Sequence, residues 1–597
     1  MRVSCVLTPL LSLFISQAHS PENRSYDGSG NATGDLGAAN TALLRLTAPA
    51  YGDGLGTLAG VTRPGARLVS NLACAQTGSL ATAANGSDMV WQWGQFLDHD
   101  VTLVPSSSGE DASISVTDPT DPLFPFIPLT RSDFELDGDG VRQQINHTTS
   151  FIDASMVYGA SESRANALRT FSGGLMALAA DGLLPFNSAG LENDNPAGLD
   201  DELLRIAGDP RANEQPGLLA LHTLFVFEHN RLAGDIAEAN PGWSDEQIYQ
   251  QARRWVGGLV QSITYNEWLP KLLGPEAPSP ASLSYDASTD PRISNEFATA
   301  LFRIGHTMVS PQLMRIGHDD YAQDPASRPL KDIFFNPAAI GDADELCYTL
   351  KGLCNQLHQS VNTTVIDDLR NSLFGAPGSG GLDLAALNLQ RGREHGLSSY
   401  GDFRSSLGLS TVTEWTDITS NSELATALAT LFPVPSEADL WLAALAEDHV
   451  SGAIVGETMA AGFKAEFTRL AEGDRFFYLW DPAFTPAERE AISSTTLAEV
   501  IQRNTWLSDL EENVFELKLA GDPELAITPL TQASMSLNFL VHPGFSFRVV
   551  QTPDLSLADW PDELIPTFIG ADALYRHSAP VQSSGQAFFR LIRSQAE

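Results

Sequence analysis

The 597 residues carry 43% hydrophobic and 18% charged side chains, a globular mixture that excludes a disordered or fibrous chain. Seventy-four acids against 35 bases leave a formal charge of −39. That charge argues against nucleic acid or an anionic membrane as a partner and is read most simply as a solubilising surface. The length exceeds one ordinary domain and suits a large helical enzyme with an appendage.

The first segment, MRVSCVLTPLLSLFISQAHS, has one arginine, an apolar stretch from Val3 to Ile15, then small and polar residues. This is the pattern of a secretory signal (1–20) cleaved near Ala18 or Ser20, too short to anchor in a bilayer. No later apolar run reaches spanning length, so the expectation is an exported, extracellular protein. Residues 21 to about 87, rich in Gly, Ala, Asn and Thr, read as an extended arm wrapping the main body. From Met89 the periodicity is mostly helical, interrupted by an acidic, Pro- and Ser-rich loop from about Pro105 to Gly140. Helices are predicted at Leu218–Ala239, Asp245–Leu273, Asn295–Ile304, Asp383–Arg393, Ser422–Thr430, Ser436–Leu445, Gly456–Leu470, Pro486–Ser493 and Thr496–Asn504. After about Ala520, Met535–Val541 and Phe545–Val550 alternate apolar and polar residues around a His-Pro-Gly turn, and Ala587–Arg593 is a third strand candidate. The expected architecture is therefore mainly α: a large helical domain (21–520) with an extended N-terminal arm, and a small C-terminal β module (521–597).

Cys5 leaves with the signal, and Cys74, Cys347 and Cys354 cannot build a disulfide framework. Cys347 and Cys354 could pair if the chain turns between them, whereas one straight helix would hold them too far apart. Asn23, Asn31, Asn85, Asn146 and Asn362 stand in N-x-S/T sequons, which matter if the host glycosylates.

The densest chemistry lies in WQWGQFLDHDVTL at Trp91–Leu103. Gln95 and His99 are one helical turn apart and share a face, while Asp98 and Asp100 point about 200° apart and so serve different sites. An amphipathic helix with one satisfied histidine would show the same letters. In TTSFIDASMVYG (Thr148–Gly159), oxygen donors alternate: the Thr149 hydroxyl, the Phe151 carbonyl, Asp153 and Ser155. Such spacing curls a loop round a hard cation, and Asp100 could supply the second carboxylate; a capped turn is the plainer alternative. GDPRANEQPG (Gly208–Gly217) offers Arg211, a fixed cation of the kind that stabilises a developing anion, or simply a surface pair with Glu214. FRIGHTMVSP (Phe302–Pro311) sets His306 after Gly305, which would let a flat cofactor approach. LNLQRGREHG (Leu387–Gly396) supplies Asn388, able to accept a ligand histidine's other ring proton, and Arg391, able to pair with a propionate.

Together, from about Arg24 to Leu517, these five motifs resemble in content and order the animal-type haem peroxidases of the peroxidase–cyclooxygenase superfamily, with a bacterial-type member suggested. The resemblance implies a b-type haem and a peroxidase that uses H2O2 to oxidise a halide, thiocyanate or small phenols. It implies His99 as distal acid–base, Gln95 as the amide orienting peroxide or halide, Arg211 as distal cation and His306 as iron ligand backed by Asn388. Arg303 and Arg391 would hold the haem region and its propionates, and Asp98 and Glu214 would form its ester links. Asp100, Thr149, Phe151, Asp153 and Ser155 would bind Ca²⁺. Gln215 replaces the methionine that joins a haem vinyl group in the myeloperoxidase branch, so no sulfonium link is expected. A fatty-acid dioxygenase of the same superfamily is one rival, but its radical tyrosine would stand where this chain has Arg303. A non-catalytic matrix or adhesion protein on the same scaffold is another, opposed by the joint presence of His99, Arg211 and His306. The ending Phe588-Phe589-Arg590-Leu591 resembles small β domains of exported bacterial proteins, implying a surface-attachment role or a packing appendage.

Overall fold

The computed structural model describes residues 22–317, 326–374, 381–508, 510–517 and six strands between 526 and 595. The expected signal segment lies outside the described residues. Helix α1 (Met89–Val101) is almost entirely buried, which its run of Trp, Val, Leu and Phe demands. It packs on α2 (Pro216–Ala239), where the rings of Trp93, Phe96 and Phe225 cluster at 5.3–5.7 Å between centroids. Helix α2 starts where it does because Gln215 accepts the Gly217 N–H and Pro216 needs no partner for a missing one. Helix α3 (Asp245–Ile263) opens on a capping box between Ser244 and Gln247. It runs through a wide π turn, Thr264–Trp268, into a further helix at Leu269–Leu273. The π turn re-aims Trp268, whose indole N–H donates to the Val90 carbonyl at 2.8 Å and ties α3 to α1.

The segment expected as one helix at Asn295–Ile304 is broken. Helix Asn295–Thr299 gives way to a 3₁₀ turn, Leu301–Ile304, and then to α4 (Gly305–Met308), which carries His306. Helix α5 (Leu384–Glu394) begins at an Asp383 cap and presents Asn388. Helices that escaped the sequence reading include Ala66–Ala73 in the arm, Glu162–Ala167, Ala343–Asn355 and Tyr400–Ser406. Cys347 and Cys354 lie on Ala343–Asn355, and they and Cys74 are free and buried.

The arm is mostly turns; its short strand Thr41–Ala42 pairs antiparallel with Arg142–Asn146 of the body, and side chains bind it further. Arg24 donates to both oxygens of Asp474 at 2.8 and 2.7 Å, and Arg45 reaches Gln143, Gln144 and the His395 carbonyl. Two sequons are unsuitable for glycan. Asn31 and Asn146 are buried, and the Asn146 amide is spent on the Leu103 N–H and the Val101 carbonyl.

At the C-terminal end six antiparallel strands form two three-stranded sheets. Strand β1 (Ala526–Thr531) and β5 (Ala573–Pro580) flank β2 (Ser534–Val541), while β3 (Phe545–Thr552) lies between β4 (Asp562–Ile569) and β6 (Phe588–Gln595). The strands either side of His-Pro-Gly thus belong to different sheets. Leu537, Phe547, Val549, Ile565 and Leu591 are buried.

Candidate active site

The helical body holds a cavity of about 250 Å³ that opens to solvent. Helix α1 contributes Trp91, Gln95, Asp98 and His99 to its wall, as the one-turn spacing requires. The turn before α2 contributes Arg211, Glu214 and Gln215; the 3₁₀ turn and α4 contribute Phe302, Arg303, Gly305 and His306. The two histidines therefore face one cavity although they come from remote segments. A Cβ built on Gly305 would meet no protein atom within 4 Å, so beside His306 the backbone borders open space. Leu330, Phe334, Leu369 and Leu373 supply apolar wall.

His99 is buried, and burial together with the Arg211 charge holds it well below the ordinary histidine range, hence neutral. Arg211 is clamped by Asp209: its Nε donates to Oδ1 at 2.9 Å and its Nη2 to Oδ2 at 2.7 Å, with a further bond from Nη2 to the Thr102 carbonyl at 2.6 Å. Its Nη1 lies 3.5 Å from Asp98. Asp98 in turn accepts the Thr102 hydroxyl at 2.7 Å. Glu214 is pushed up to about 7, because burial outweighs the opposing pull of Arg211. Gln215 donates to Gln92 at 2.6 Å and to Gln95 at 3.0 Å.

His306 is pushed down to about 3 by burial and by Arg303. Its Nδ1 faces the Asn388 amide edge, 2.8 Å from the nitrogen and 3.2 Å from the oxygen. A protonated Nδ1 would donate to the amide oxygen, and a bare one would accept from the amide nitrogen. Arg303 donates to the Ala298 carbonyl. Arg391 does not line the cavity: it is paired with Glu394 at 2.7 Å and bonded to Thr130, Ser132 and Ser106.

The opposite face of α1 carries Asp100 into the Thr148–Gly159 loop. Its Oδ2 accepts the N–H groups of Asp153 and Ala154, both at 3.1 Å, and its Oδ1 accepts the Ser155 hydroxyl at 2.8 Å. Thr149 donates to Asp153 at 3.1 Å and lies 3.5 Å from the Phe151 carbonyl. Ala154 holds a φ of 62°, a left-handed conformation that this curl imposes on a non-glycine residue. Burial raises both carboxyls, and the Asp153 charge raises Asp100 further. Two buried acids with hydroxyl and carbonyl oxygens are a donor set that suits a divalent cation. Among the described residues no cluster of three or more His, Cys, Asp or Glu side chains could hold a metal.

Three buried groups beside the cavity went unassigned in the sequence: Asp209, Gln92 and His222. Asp209 was legible in principle, since an aspartate two residues before another residue often accepts its backbone N–H, as it does here for Arg211 at 2.8 Å.

Two neutral imidazoles on one cavity, one backed by an amide and the other attended by a guanidinium, define the kind of site that holds a metal macrocycle between a ligand and a proton carrier. Comparison gives the family. Residues 23–515 match the model for animal haem peroxidase, and the chain belongs to that family, as an enzyme of the peroxidase class. It is 36% identical to myeloperoxidase of Mus musculus over 534 residues, covering 80% of this chain and 74% of that protein. Peroxidase A of Dictyostelium discoideum superposes with a TM-score of 0.77 at 35% identity, covering 83% of this chain and all of that one. A fatty acid α-dioxygenase of Arabidopsis thaliana shares the fold, with a TM-score of 0.71 and 20% identity over 85% of each chain. Among the described residues no helix is long and apolar enough to cross a membrane.

Proposed function

We propose that the protein is an exported peroxidase that binds a b-type haem between His99 and His306 and uses H2O2 to oxidise a halide, thiocyanate or small phenols. The observation that carries this reading is the single cavity shared by those two neutral histidines. His306, backed by Asn388, would ligate the iron through Nε2, and Gly305 leaves the ring room. Asp98 and Glu214 are the acids on the cavity wall suited to ester links. Arg303 faces the same wall, whereas Arg391, tied to Glu394, would reach a propionate only by changing partners. When bound, haem supplies the redox-active iron and conjugated ring that take up the oxidising equivalents of peroxide.

The chain's own residues do the rest. Neutral His99 accepts a proton from the peroxide oxygen nearest the iron side and delivers it to the departing oxygen, which leaves as water. Arg211 offsets the negative charge that grows on that oxygen as the bond lengthens. Gln95, held by Gln215, offers its amide to the incoming peroxide or anion. The wall of Trp91, Phe302, Phe334 and Leu373 excludes bulk water and strengthens each of these interactions. Asp100, Thr149, Phe151, Asp153 and Ser155 would bind Ca²⁺ and fix α1 from behind. The β strands from 526 onward would form a separate module serving surface attachment.

The dioxygenase reading loses its support at Arg303, which stands where a radical-forming tyrosine would be needed. Loading the protein with haem and mixing it with H2O2, then with each halide and a phenol, tests the proposal by stopped-flow spectroscopy. A Soret band that shifts with peroxide and returns on adding one donor is expected. A loaded protein inert to peroxide overturns it.

A further inference from the structure

Among the buried groups that the reading above leaves idle, Asp209 has the most definite geometry. We infer that Asp209 is the positioning residue of the proton-transfer side of the cavity, one carboxylate that orients the His99 ring and anchors the Arg211 guanidinium together. This deepens the peroxidase reading and rests on it.

The carboxylate spends three bonds on Arg211. Its Oδ1 accepts the backbone N–H at 2.8 Å and Nε at 2.9 Å, and its Oδ2 accepts Nη2 at 2.7 Å. The same Oδ1 stands 3.4 Å from Nδ1 of His99. That nitrogen is buried and makes no hydrogen bond, so Asp209 is the carboxylate facing it. A separation slightly beyond bonding length is usual before a ligand closes a site. His222 does not compete: its ring centroid is 6.4 Å from that of His99.

Two consequences follow from elementary electrostatics. Facing a carboxylate, Nδ1 carries the ring proton, which leaves the Nε2 lone pair for the cavity, where a proton acceptor is needed. When Nε2 takes a proton, the resulting imidazolium sits beside an anion instead of being stranded. Of the charged and titratable groups that act most strongly on His99, Arg211, His222 and Arg303 disfavour that imidazolium and Asp209 favours it. Asp209 itself stays ionised, because the Arg211 guanidinium holds it well below the usual carboxylate range against the cost of burial. Around Arg211 stand Asp98 and Asp194 as further anions, and both help to keep it charged.

An anchor for Arg211 alone would leave the histidine tautomer free, so the tautomer is the discriminating readout. Neutron diffraction from D2O-exchanged crystals of the haem-loaded wild-type enzyme should place deuterium on Nδ1 of His99, directed at Asp209, and none on Nε2. Deuterium on Nε2 with Nδ1 bare overturns the inference. In Asp209→Asn the amide can donate to Nδ1 and drive the proton onto Nε2. Cyanide, which delivers a proton to the distal base as it binds, should then bind the haem-loaded variant roughly ten- to a hundredfold more weakly, read from the Soret shift. An affinity within twofold of wild type also overturns it. If the variant fails to take up haem, the neutron result on the wild type decides. Neither measurement needs peroxide turnover or a donor, so a failure of the peroxidase reading would show separately.

Discussion

The two imidazoles that face the cavity are both neutral, but the groups behind them differ. His306 is backed by the amide of Asn388, which can share a proton but carries no charge to pull it away. His99 is backed by a carboxylate, Asp209, and flanked by a guanidinium. An amide holds a ring in one protonation state and tunes a metal ligand only mildly. A carboxylate beside a guanidinium lets a ring gain and lose a proton without leaving a bare charge in a dry cavity. One side of the cavity is built to stay as it is, the other to cycle.

Removing the cycling ring should give the largest effect. His99→Ala is expected to slow the reaction of the haem-loaded enzyme with H2O2 by about 10²- to 10⁴-fold while leaving haem uptake intact, because general acid–base catalysis contributes on that order. A stopped-flow rate within threefold of wild type would remove His99 from the chemistry and abolish the contrast between the two sides.

Calcium removal tests whether the cycling side is held from behind. Asp100 of α1 and Asp153 of the loop are two buried acids in one cluster, and Asp100 is adjacent in sequence to His99. Chelation, or Asp153→Asn, should therefore lower both the melting temperature and peroxide reactivity. Added Ca²⁺ at about a hundred times its dissociation constant should stabilise the protein by about 2.7 kcal/mol. Calorimetry with and without Ca²⁺ checks this; identical melting curves would leave the loop a hydrogen-bonded turn.

A smaller change sharpens the quiet side. Asn388→Asp places a carboxylate behind His306, gives the ring more imidazolate character and should lower the iron reduction potential by tens of millivolts. Spectroelectrochemistry measures it. An unchanged or raised potential would mean that the residue behind His306 does not tune the iron.

How much of this was readable from the letters depended on locality. Gln95, Asp98 and His99 sit within five residues of one helix, so helical geometry alone put them on one face and sent Asp100 to the other. The helical class of the body was equally visible, because long stretches such as Pro216–Ala239 repeat their apolar residues at helical spacing. Asp209 was in view but mute: its role comes from a turn that brings its Oδ1 to a histidine 110 positions earlier, and no spacing rule encodes that approach. The helix at Ala343–Asn355 was overlooked although Leu346, Leu350 and Leu353 are buried at helical spacing, because its two cysteines drew a different question. In the C-terminal sheets, Pro529 and Pro566 interrupt the alternation in strands that pair nonetheless, and β1, β4 and β5 went unread. The pairing of β2 with β5 rather than with its neighbour β3 is a long-range choice that a turn signal cannot reveal.

The smallest effect concerns two buried acids, Glu214 at the cavity and Glu267 on the π turn. Glu267 is pushed up to about 8 by burial, with one oxygen accepting the Leu497 N–H at 3.0 Å and the other unpartnered. A carboxyl whose folded pKa is raised is bound to its proton more tightly in the native state than in the unfolded one. Its contribution to stability is therefore complete below about pH 4.5 and is lost as pH rises through the folded value. For Glu267 that window runs from about 4.5 to about 8, and for Glu214 from about 4.5 to about 7. The two should part company on haem loading. An ester link would remove Glu214 from titration, whereas Glu267 lies outside the cavity wall and keeps its slope. Glu267→Gln should thus flatten the decline of denaturation midpoint between pH 5 and 8 in both apo and loaded protein. Glu214→Gln should do so only in the apo form. If both variants flatten both forms alike, Glu214 is still titrating after loading and carries no ester.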